Sequence, residues 1–119
     1  MKSHDLGKLG EEYAQKYLIR HGYKILDINI HSRQGEIDCL CMHESTLICV
    51  EVKSRSRSTM GQPYEAVSPL KRYKIMQTLY EYLRTHHISY SHVQIDIISL
   101  IINPNGTIHD LKHFKNDLL

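Results

Sequence analysis

The sequence lacks the features that mark membrane, secreted and nucleotide-binding proteins. It has no apolar run of about 18 residues, the length that a membrane-spanning helix needs. Its N-terminus, "MKSHDLGKLGEE", turns charged where a secretory signal would stay apolar. No Gly-rich phosphate loop, nucleotide fingerprint or nucleophilic Ser or Cys motif is present. We therefore expect a cytoplasmic protein with no membrane partner. The missing motifs argue against a nucleotide-binding protein and against an enzyme with a Ser or Cys nucleophile.

Cysteine is scarce and does not form a framework. Cys39, Cys41 and Cys49 are an odd number without a CxxC spacing, so we expect reduced thiols in the core. A zinc site is disfavoured too, although Cys39, Cys41 and His43 share one strand face. Strand ligands at i, i+2 and i+4 spread over about 13 Å, which is too far to share one ion.

Charge is unevenly distributed along the chain. Residues 53–74 hold six basic residues against one acid, Glu65, a net charge of +5, so the remainder is −3 within a total of +2. A concentrated basic segment suits an anionic polymer such as nucleic acid. The alternative interpretation is a solvated loop and helix face, which is common in soluble domains.

Two helices are predicted from apolar residues at three- and four-residue spacing. The first covers 4–21, with Ser3 or Asp5 as its cap and Gly22 as its stop. The second begins at Ser68-Pro69, an N-cap followed by a first-turn Pro. Its packing face is expected to carry six apolar or aromatic residues: Leu70, Tyr73, Met76, Leu79, Tyr80 and Leu83.

Three strands are predicted between the helices and one after them. Their ranges are 23–30, 36–42, 46–53 and 92–102. A tight turn at 43–45 joins the second strand to the third, a loop at 54–62 follows, and a short strand or irregular tail runs from Thr107 onward. No repeat or long linker divides the chain, so we expect one domain over 1–119. The order α-β-β-β-α-β predicts an α/β fold in which helices cover both faces of a mixed sheet.

Two acids and a lysine fall on neighbouring predicted strands. Glu51 and Lys53 share one face of the third strand, because alternate side chains point the same way. A hairpin through 43–45 would bring Asp38 beside Glu51, register permitting. Two carboxylates held close together repel, and a divalent cation or a shifted pKa relieves that repulsion. An exposed Asp, Glu and Lys on a half-wet sheet would fit the spacing equally well.

These residues also carry a family resemblance. Gly35-Glu36-Ile37-Asp38, the 13-residue step to Glu51-Val52-Lys53, and "LGKLGEEYAQKYL" resemble the YraN-like family of small bacterial proteins. That family is related to archaeal Holliday-junction resolvases within the PD-(D/E)xK nuclease superfamily. The resemblance runs from about Leu6 to about Leu100, and it implies a restriction-endonuclease-like core. It also implies that Asp38, Glu51 and Lys53 take the three motif positions, whereas Ile37 replaces the motif proline.

The resemblance further implies a Glu on the first helix, and helical geometry distinguishes the two candidates. At about 100° per residue, Glu11 lies at the edge of the apolar stripe, about 20° from Leu18, and Glu12 lies on the far side. Glu11 also follows Gly10, as in the Gly-Glu pair of the family. A surface Glu without a catalytic role is the alternative.

The implied activity is metal-dependent hydrolysis of phosphodiester bonds in DNA, with branched or structured DNA suggested by the resolvases. Mg²⁺ or Mn²⁺ would be held by Asp38, Glu51, Glu11 and the backbone carbonyl of Val52. Lys53 would orient the nucleophile and stabilise the transition state. Flanking phosphates would be held by four basic residues: Arg55, Arg57, Lys71 and Arg72.

Other interpretations stay open beside the enzyme. A nuclease-fold protein can bind nucleic acid or a protein partner without cutting. A homodimer, formed through the exposed side of the sheet or the second helix, is a third possibility, since resolvases need two sites for two strands. DNA is the expected nucleic acid rather than RNA. Asp96 lies within the apolar last strand, where a structural hydrogen bond is expected rather than catalysis. The family has an Arg and an aromatic residue before this Asp, whereas Gln94 and Ile95 stand here.

Overall fold

A computed structural model of the chain describes residues 2–59 and 67–116. Two helices and five strands, with a 3-10 turn at Arg57–Thr59, follow one another as α1 (Ser3–Arg20), β1 (Lys24–His31), β2 (Glu36–His43), β3 (Thr46–Ser56), α2 (Pro69–Leu83), β4 (His92–Ile102) and β5 (Ile108–Phe114). The predicted α/β order is confirmed, and the tail from Thr107 contains a regular strand. Within the described part of the chain, neither helix has the length and apolar character needed to cross a membrane.

The five strands form one mixed sheet in the order β1-β2-β3-β4-β5. β3 and β4 are parallel, and the connection between them contains α2. The other three neighbouring pairs are antiparallel. A two-residue turn joins β2 to β3, and its first residue, Glu44, has a φ of 58°. Positive φ is the backbone conformation that tight hairpin turns require.

Each helix covers one face of the sheet. α1 buries Ala14 and Leu18 on one side, and α2 buries Ile75 and Leu79 on the other. Because alternate side chains of a strand point to opposite faces, β3 contributes to both cores. Its inner residues are Ile48 and Val50 on the α1 side and Leu47 and Cys49 on the α2 side. The same alternation directs Glu51 and Lys53 toward α2.

The packing face of α2 differs from the prediction. Ile75 and Leu79 are buried, whereas Leu70, Tyr73 and Tyr80 are 64, 58 and 52% exposed. The exposed set lies about half a helical turn away from the buried set, and both stripes have helical spacing. Tyr tolerates an exposed position because its hydroxyl group remains hydrated. The prediction is confirmed for Met76, Leu79 and Leu83, which lie in or against the core. It was wrong for the other three residues, because a second stripe of α2 also carries large side chains.

Element boundaries show three further outcomes. α1 begins after Lys2, with no side-chain cap bond, rather than at a Ser3 or Asp5 cap. β3 continues to Ser56 because β4 pairs with it along its whole length; the predicted loop therefore starts later, and residues 60–62 and Glu65 lie outside the described residues. The cap of α2 is confirmed, since Ser68 Oγ accepts a hydrogen bond from a backbone N–H of the first turn.

All three cysteines are free and buried, as predicted.

Candidate metal and phosphate site

Strands β2 and β3 separate at the level of Asp38 and Glu51. Their antiparallel register ends at the pair Cys39 and Val50. Just beyond it, the N–H of Val52 donates a hydrogen bond to Asp38 Oδ2 at 2.8 Å. A carboxylate thus accepts the bond that a carbonyl of the neighbouring strand would otherwise accept. We call the opening between the two strands, lined by Asp38 and Glu51, the split.

Glu51 is buried at the split, with 7% of its surface exposed. Its Oε1 lies 2.7 Å from Nζ of Lys71, in the first turn of α2. Partial burial lowers the pKa of Lys71, but the hydrogen bond to Glu51 and the surrounding carboxylates outweigh it, so the net shift is upward. Lys71 therefore stays charged at neutral pH and neutralises Glu51.

Asp38 has a perturbed acidity. Burial, followed by the charge of Glu51, raises the pKa of Asp38 to about 6, although the Val52 N–H and the Lys71 ammonium oppose the shift. The repulsion between two neighbouring carboxylates is lowered when one of them binds a proton or when both bind a cation. The pair is therefore a functional-site candidate on physical grounds.

Glu11 approaches the same carboxylates from α1. It is half-buried, whereas the next residue, Glu12, is exposed. Burial, followed by the charges of Asp38 and Glu36, raises the pKa of Glu11. Glu11 is thus the acid of this helix whose pKa is raised by the charges near the split.

Gly10 permits α1 to lie close to the end of β3. A Cβ at Gly10 would overlap the side chain of Ser54, which is buried beneath the helix. Because Glu11 follows directly, this close approach sets how near its carboxylate comes to the split.

Two members of the charge cluster were not assigned to it from the sequence. Glu36 contributes to the raised pKa of both Asp38 and Glu11, and its Oε2 lies 3.3 Å from His31 Nδ1. The alternation of β2 puts Glu36 on the face of Asp38, a signal that could have identified it. Lys71 was expected on a phosphate, and no local pattern connects it to Glu51.

The donor chemistry of the split fits a hard divalent cation. Oxygen ligands dominate, and Mg²⁺ and Mn²⁺ select oxygen. The Val52 carbonyl also faces β2, because the N–H and C=O of one strand residue point to the same side. Within residues 2–59 and 67–116, no three Asp, Glu, His or Cys side chains are close enough to form a metal centre by themselves. Asp38, Glu51 and Glu11 are thus not assembled as one cluster, and the cation site that fits is a carboxylate pair with a backbone oxygen.

The predicted lysine of the motif lies further along β3. Lys53 points to the same side as Glu51 and is half-buried, and it makes no ion pair with any described residue. The ammonium that contacts Glu51 belongs to Lys71 instead. Lys53 is therefore available to a ligand that enters on this face.

The expected phosphate-binding residues lie in three elements: β3, the 3-10 turn and α2. Arg55 is half-buried near the end of β3. Arg57 is exposed in the 3-10 turn, where Nη1 donates to Asn103 Oδ1 at 3.4 Å. Arg72 is half-buried, and its Nη1 has no hydrogen-bond partner among the described residues. Lys71 contacts Glu51.

A second buried carboxylate, Asp96, lies on the α1 face of β4. It accepts hydrogen bonds from Gln94 Nε2 at 2.9 Å, from the backbone N–H of Asn116 at 2.8 Å, and from His113 Nε2 at 2.8 Å. With His113 in that tautomer, its Nδ1 accepts from the Tyr17 hydroxyl at 3.0 Å. Asp96 is satisfied by protein groups, which agrees with the expected structural hydrogen bond.

The fold and the split define a class: a mixed α/β protein with a buried Glu51 and a half-buried Asp38 at an opening of its sheet. The chain matches the family model described as Uncharacterised protein family UPF0102 over residues 10–100. A UPF0102 protein of Chlorobium phaeobacteroides (strain BS1) is 38% identical over 117 residues, which cover 95% of this chain and 93% of the relative. A UPF0102 protein of Syntrophomonas wolfei is 37% identical over 98 residues, 82% of this chain and 85% of the relative.

A third relative, a UPF0102 protein of Persephonella marina, is 38% identical over 110 residues, 92% of this chain and 90% of the relative. The chain belongs to the UPF0102 family. This confirms the resemblance at the level of the family, and the matched range includes Glu11, Asp38, Glu51 and Lys53. The link to the nuclease superfamily stays a prediction.

Proposed function

We propose that this protein is an endonuclease that uses Mg²⁺ or Mn²⁺ to hydrolyse phosphodiester bonds in DNA. The observation that carries the proposal is the buried Glu51 held beside Asp38, whose pKa burial and Glu51 raise to about 6. Two carboxylates held next to each other out of water are unfavourable unless positive charge balances them, and the ammonium of Lys71 balances only one of the two. The three motif residues Asp38, Glu51 and Lys53, through the resemblance to the nuclease superfamily, support the same assignment.

The ligands of the ion would be Asp38, Glu51 and the Val52 carbonyl, with Glu11 approaching from α1. Asp38 Oδ2 is engaged by the Val52 N–H, so Oδ1 is the oxygen that would face the ion. A bound Mg²⁺ or Mn²⁺ supplies Lewis-acid chemistry, since it withdraws charge from a phosphate and makes a nearby water more acidic. Lys53 would stabilise the negative charge that develops on the phosphate oxygens in the transition state.

The substrate would be held by its backbone. Arg55, Arg57 and Arg72 would contact phosphates on either side of the scissile bond, and such contacts position a nucleic acid without reading its sequence. Selectivity for branched or deformed DNA suits this mode of binding. A homodimer would present two sites to the two strands. The proposed compartment is the cytoplasm, which suits three buried thiols without a disulfide.

The direct test is cleavage of a supercoiled plasmid and of a labelled four-way DNA junction in Mg²⁺, Mn²⁺ or EDTA. Wild type is expected to cut with either metal and not in EDTA. Glu51→Ala and Lys53→Ala should each lower the rate by about 100-fold or more, because the first removes a ligand of the metal ion and the second removes the positive charge that stabilises the transition state. Activity that survives both substitutions would contradict the proposal.

Glu11 has a matched control in its neighbour. Glu11→Ala and Glu12→Ala remove the same charge from adjacent positions of one helix, but only Glu11 is half-buried near the carboxylates. The cleavage rate should fall in the first variant and stay at the wild-type level in the second. Equal rates in both variants would remove Glu11 from the site.

Binding measurements separate cutting from binding alone. Fluorescence anisotropy with the same junction, with a linear duplex and with an RNA duplex of the same sequence measures the preference for structure and for DNA. Tight junction binding that ignores EDTA, without cleavage in either metal, would replace the enzyme by a nucleic-acid-binding protein.

A further inference from the structure

The ion pair of Glu51 and Lys71 brings together residues from two distant parts of the chain. Lys71 Nζ lies 2.7 Å from Glu51 Oε1, and the side chain of Lys71 is 45% exposed while that of Glu51 is 9% exposed. One partner is therefore fixed inside the protein, and the other reaches it from the surface. The ammonium occupies the position beside Glu51 at which a cationic ligand of that carboxylate would bind.

Lys71 is placed where a helix gains nothing from a positive charge. It lies in the first turn of α2, whose N-terminus carries a partial positive charge that disfavours cations. The contact with Glu51 accounts for this placement. The backbone of Lys71 is anchored, because its N–H donates to Ser68 Oγ at 3.2 Å. Any movement is left to the flexible four-carbon side chain.

A divalent cation and this ammonium cannot both neutralise Glu51 at close range. Positive charges separated by about 4 Å repel by more than the thermal energy even in water, and by more at a partly buried site. An ion that binds Asp38 and Glu51 would therefore displace Nζ toward solvent. A phosphate bound near the start of α2 would be favoured both by the released ammonium and by the helix N-terminus.

We propose that Lys71 is a built-in counterion of Glu51 that a divalent metal ion displaces, and that the released ammonium then binds a phosphate of the nucleic acid. This inference rests on the proposed function, because it assigns a role in metal and phosphate binding at the same split. It makes metal and nucleic acid bind cooperatively, since metal binding frees the phosphate-binding group.

Metal binding without nucleic acid tests the first half of the proposal. Lys71→Met keeps the length of the side chain and removes the charge, and Lys74→Met makes the same change one turn further along α2, at an exposed position. Mn²⁺ affinity is measured by electron paramagnetic resonance at pH 8.5, where Asp38, with a pKa of about 6, is ionised. Lys71→Met should bind Mn²⁺ about tenfold more tightly than wild type, equivalent to about 1.4 kcal/mol. Lys74→Met should match wild type.

Nucleic-acid binding tests the second half. The probe is a labelled four-way DNA junction, with Ca²⁺ as an oxygen-binding ion in place of Mg²⁺. Ca²⁺ should strengthen junction binding by wild type and by Lys74→Met about tenfold or more, and should strengthen binding by Lys71→Met about threefold or less.

The outcomes distinguish this inference from the proposed function. One outcome is that wild type binds Mn²⁺ with an affinity that Lys71→Met leaves unchanged or lowers. This result overturns the counterion role of Lys71 and leaves the nuclease proposal intact. An equal effect of Ca²⁺ on junction binding in Lys71→Met and Lys74→Met overturns the phosphate role. No Mn²⁺ binding by wild type or by Lys71→Met overturns both the inference and the proposed metal site.

Discussion

Two acidic centres lie in different parts of this sheet, and they differ in how their charges are satisfied. Asp96, on the α1 face, is 0% exposed and accepts hydrogen bonds from three protein groups, one of which is His113. At the split, Glu51 has the ammonium of Lys71, and Asp38 has one backbone N–H. Asp96 is buried more deeply, yet it needs no ligand. Unbalanced charge, rather than depth of burial, marks the acids that are available for chemistry.

Removal of Asp96 should have the largest effect on stability. Asp96→Ala removes the acceptor of three hydrogen bonds, among them that of the buried His113 side chain, and each buried donor left without a partner costs about 1–3 kcal/mol. Urea denaturation at pH 7.5 measures the free energy of unfolding. Asp110→Ala, at a half-buried position of β5, is the control, with an expected change below about 1 kcal/mol. A loss below 1 kcal/mol for Asp96→Ala would contradict the structural role.

Gly10 lies in α1, the helix that contributes Tyr17 to the Asp96 centre and Glu11 to the split. Gly10→Ala would force its Cβ into Ser54, and overpacking of this kind costs about 1–3 kcal/mol. The double variant Gly10→Ala/Ser54→Gly should recover most of the loss in urea denaturation, because it removes the overlapping atoms. A double variant no more stable than the single one would show that the contact with Ser54 is not the cause.

Substitution of Asp38 should change the free energy of unfolding in the direction opposite to substitution of Asp96. Its carboxyl titrates near 3.8 when unfolded and near 6 when folded, so folding favours the protonated form. The stability from this group is complete below pH 3.8 and is lost as pH rises through 6. Asp38→Asn keeps an oxygen for the Val52 N–H and should be more stable than wild type by about 1–2 kcal/mol at pH 8.

The measurement for Asp38 is the difference in unfolding free energy between wild type and Asp38→Asn from pH 4 to pH 8. Other groups titrate in both proteins, and the difference isolates Asp38. The advantage of the variant should grow between about pH 4 and pH 6 and then level off. A difference that does not change with pH would contradict the raised pKa.

Glu51→Gln should produce the smallest change, an electrostatic shift within the split. Glu51 is the second cause, after burial, of the raised pKa of Asp38. Without its charge, and with Lys71 released from it, the pKa of Asp38 should fall below about 6. Carbon-13 NMR of the Asp38 carboxyl group follows the titration directly. An unchanged or higher pKa would show that Glu51 does not act on Asp38.

Local patterns predicted much of the fold and part of the site. Alternation along β3 placed Glu51 and Lys53 on one face, since side-chain direction in a strand depends on position alone. Helical periodicity selected Glu11 over Glu12 for the same reason. The Ser68-Pro69 pair located the start of α2. Periodicity selected only part of the buried stripe of α2, because Leu70, Tyr73 and Tyr80 also recur at helical spacing on another side of the helix.

The sequence by itself determined most of the order of helices and strands, the shared face of Glu51 and Lys53, and the concentration of basic charge in residues 53–74. Only the tertiary structure decided that Lys71 neutralises Glu51, that Asp38 ends the ladder of β2 and β3, and that three donors satisfy Asp96. The first group of properties follows from backbone geometry repeated along a few residues. The second depends on how elements distant in the chain pack against one another, and burial and charge act there through space.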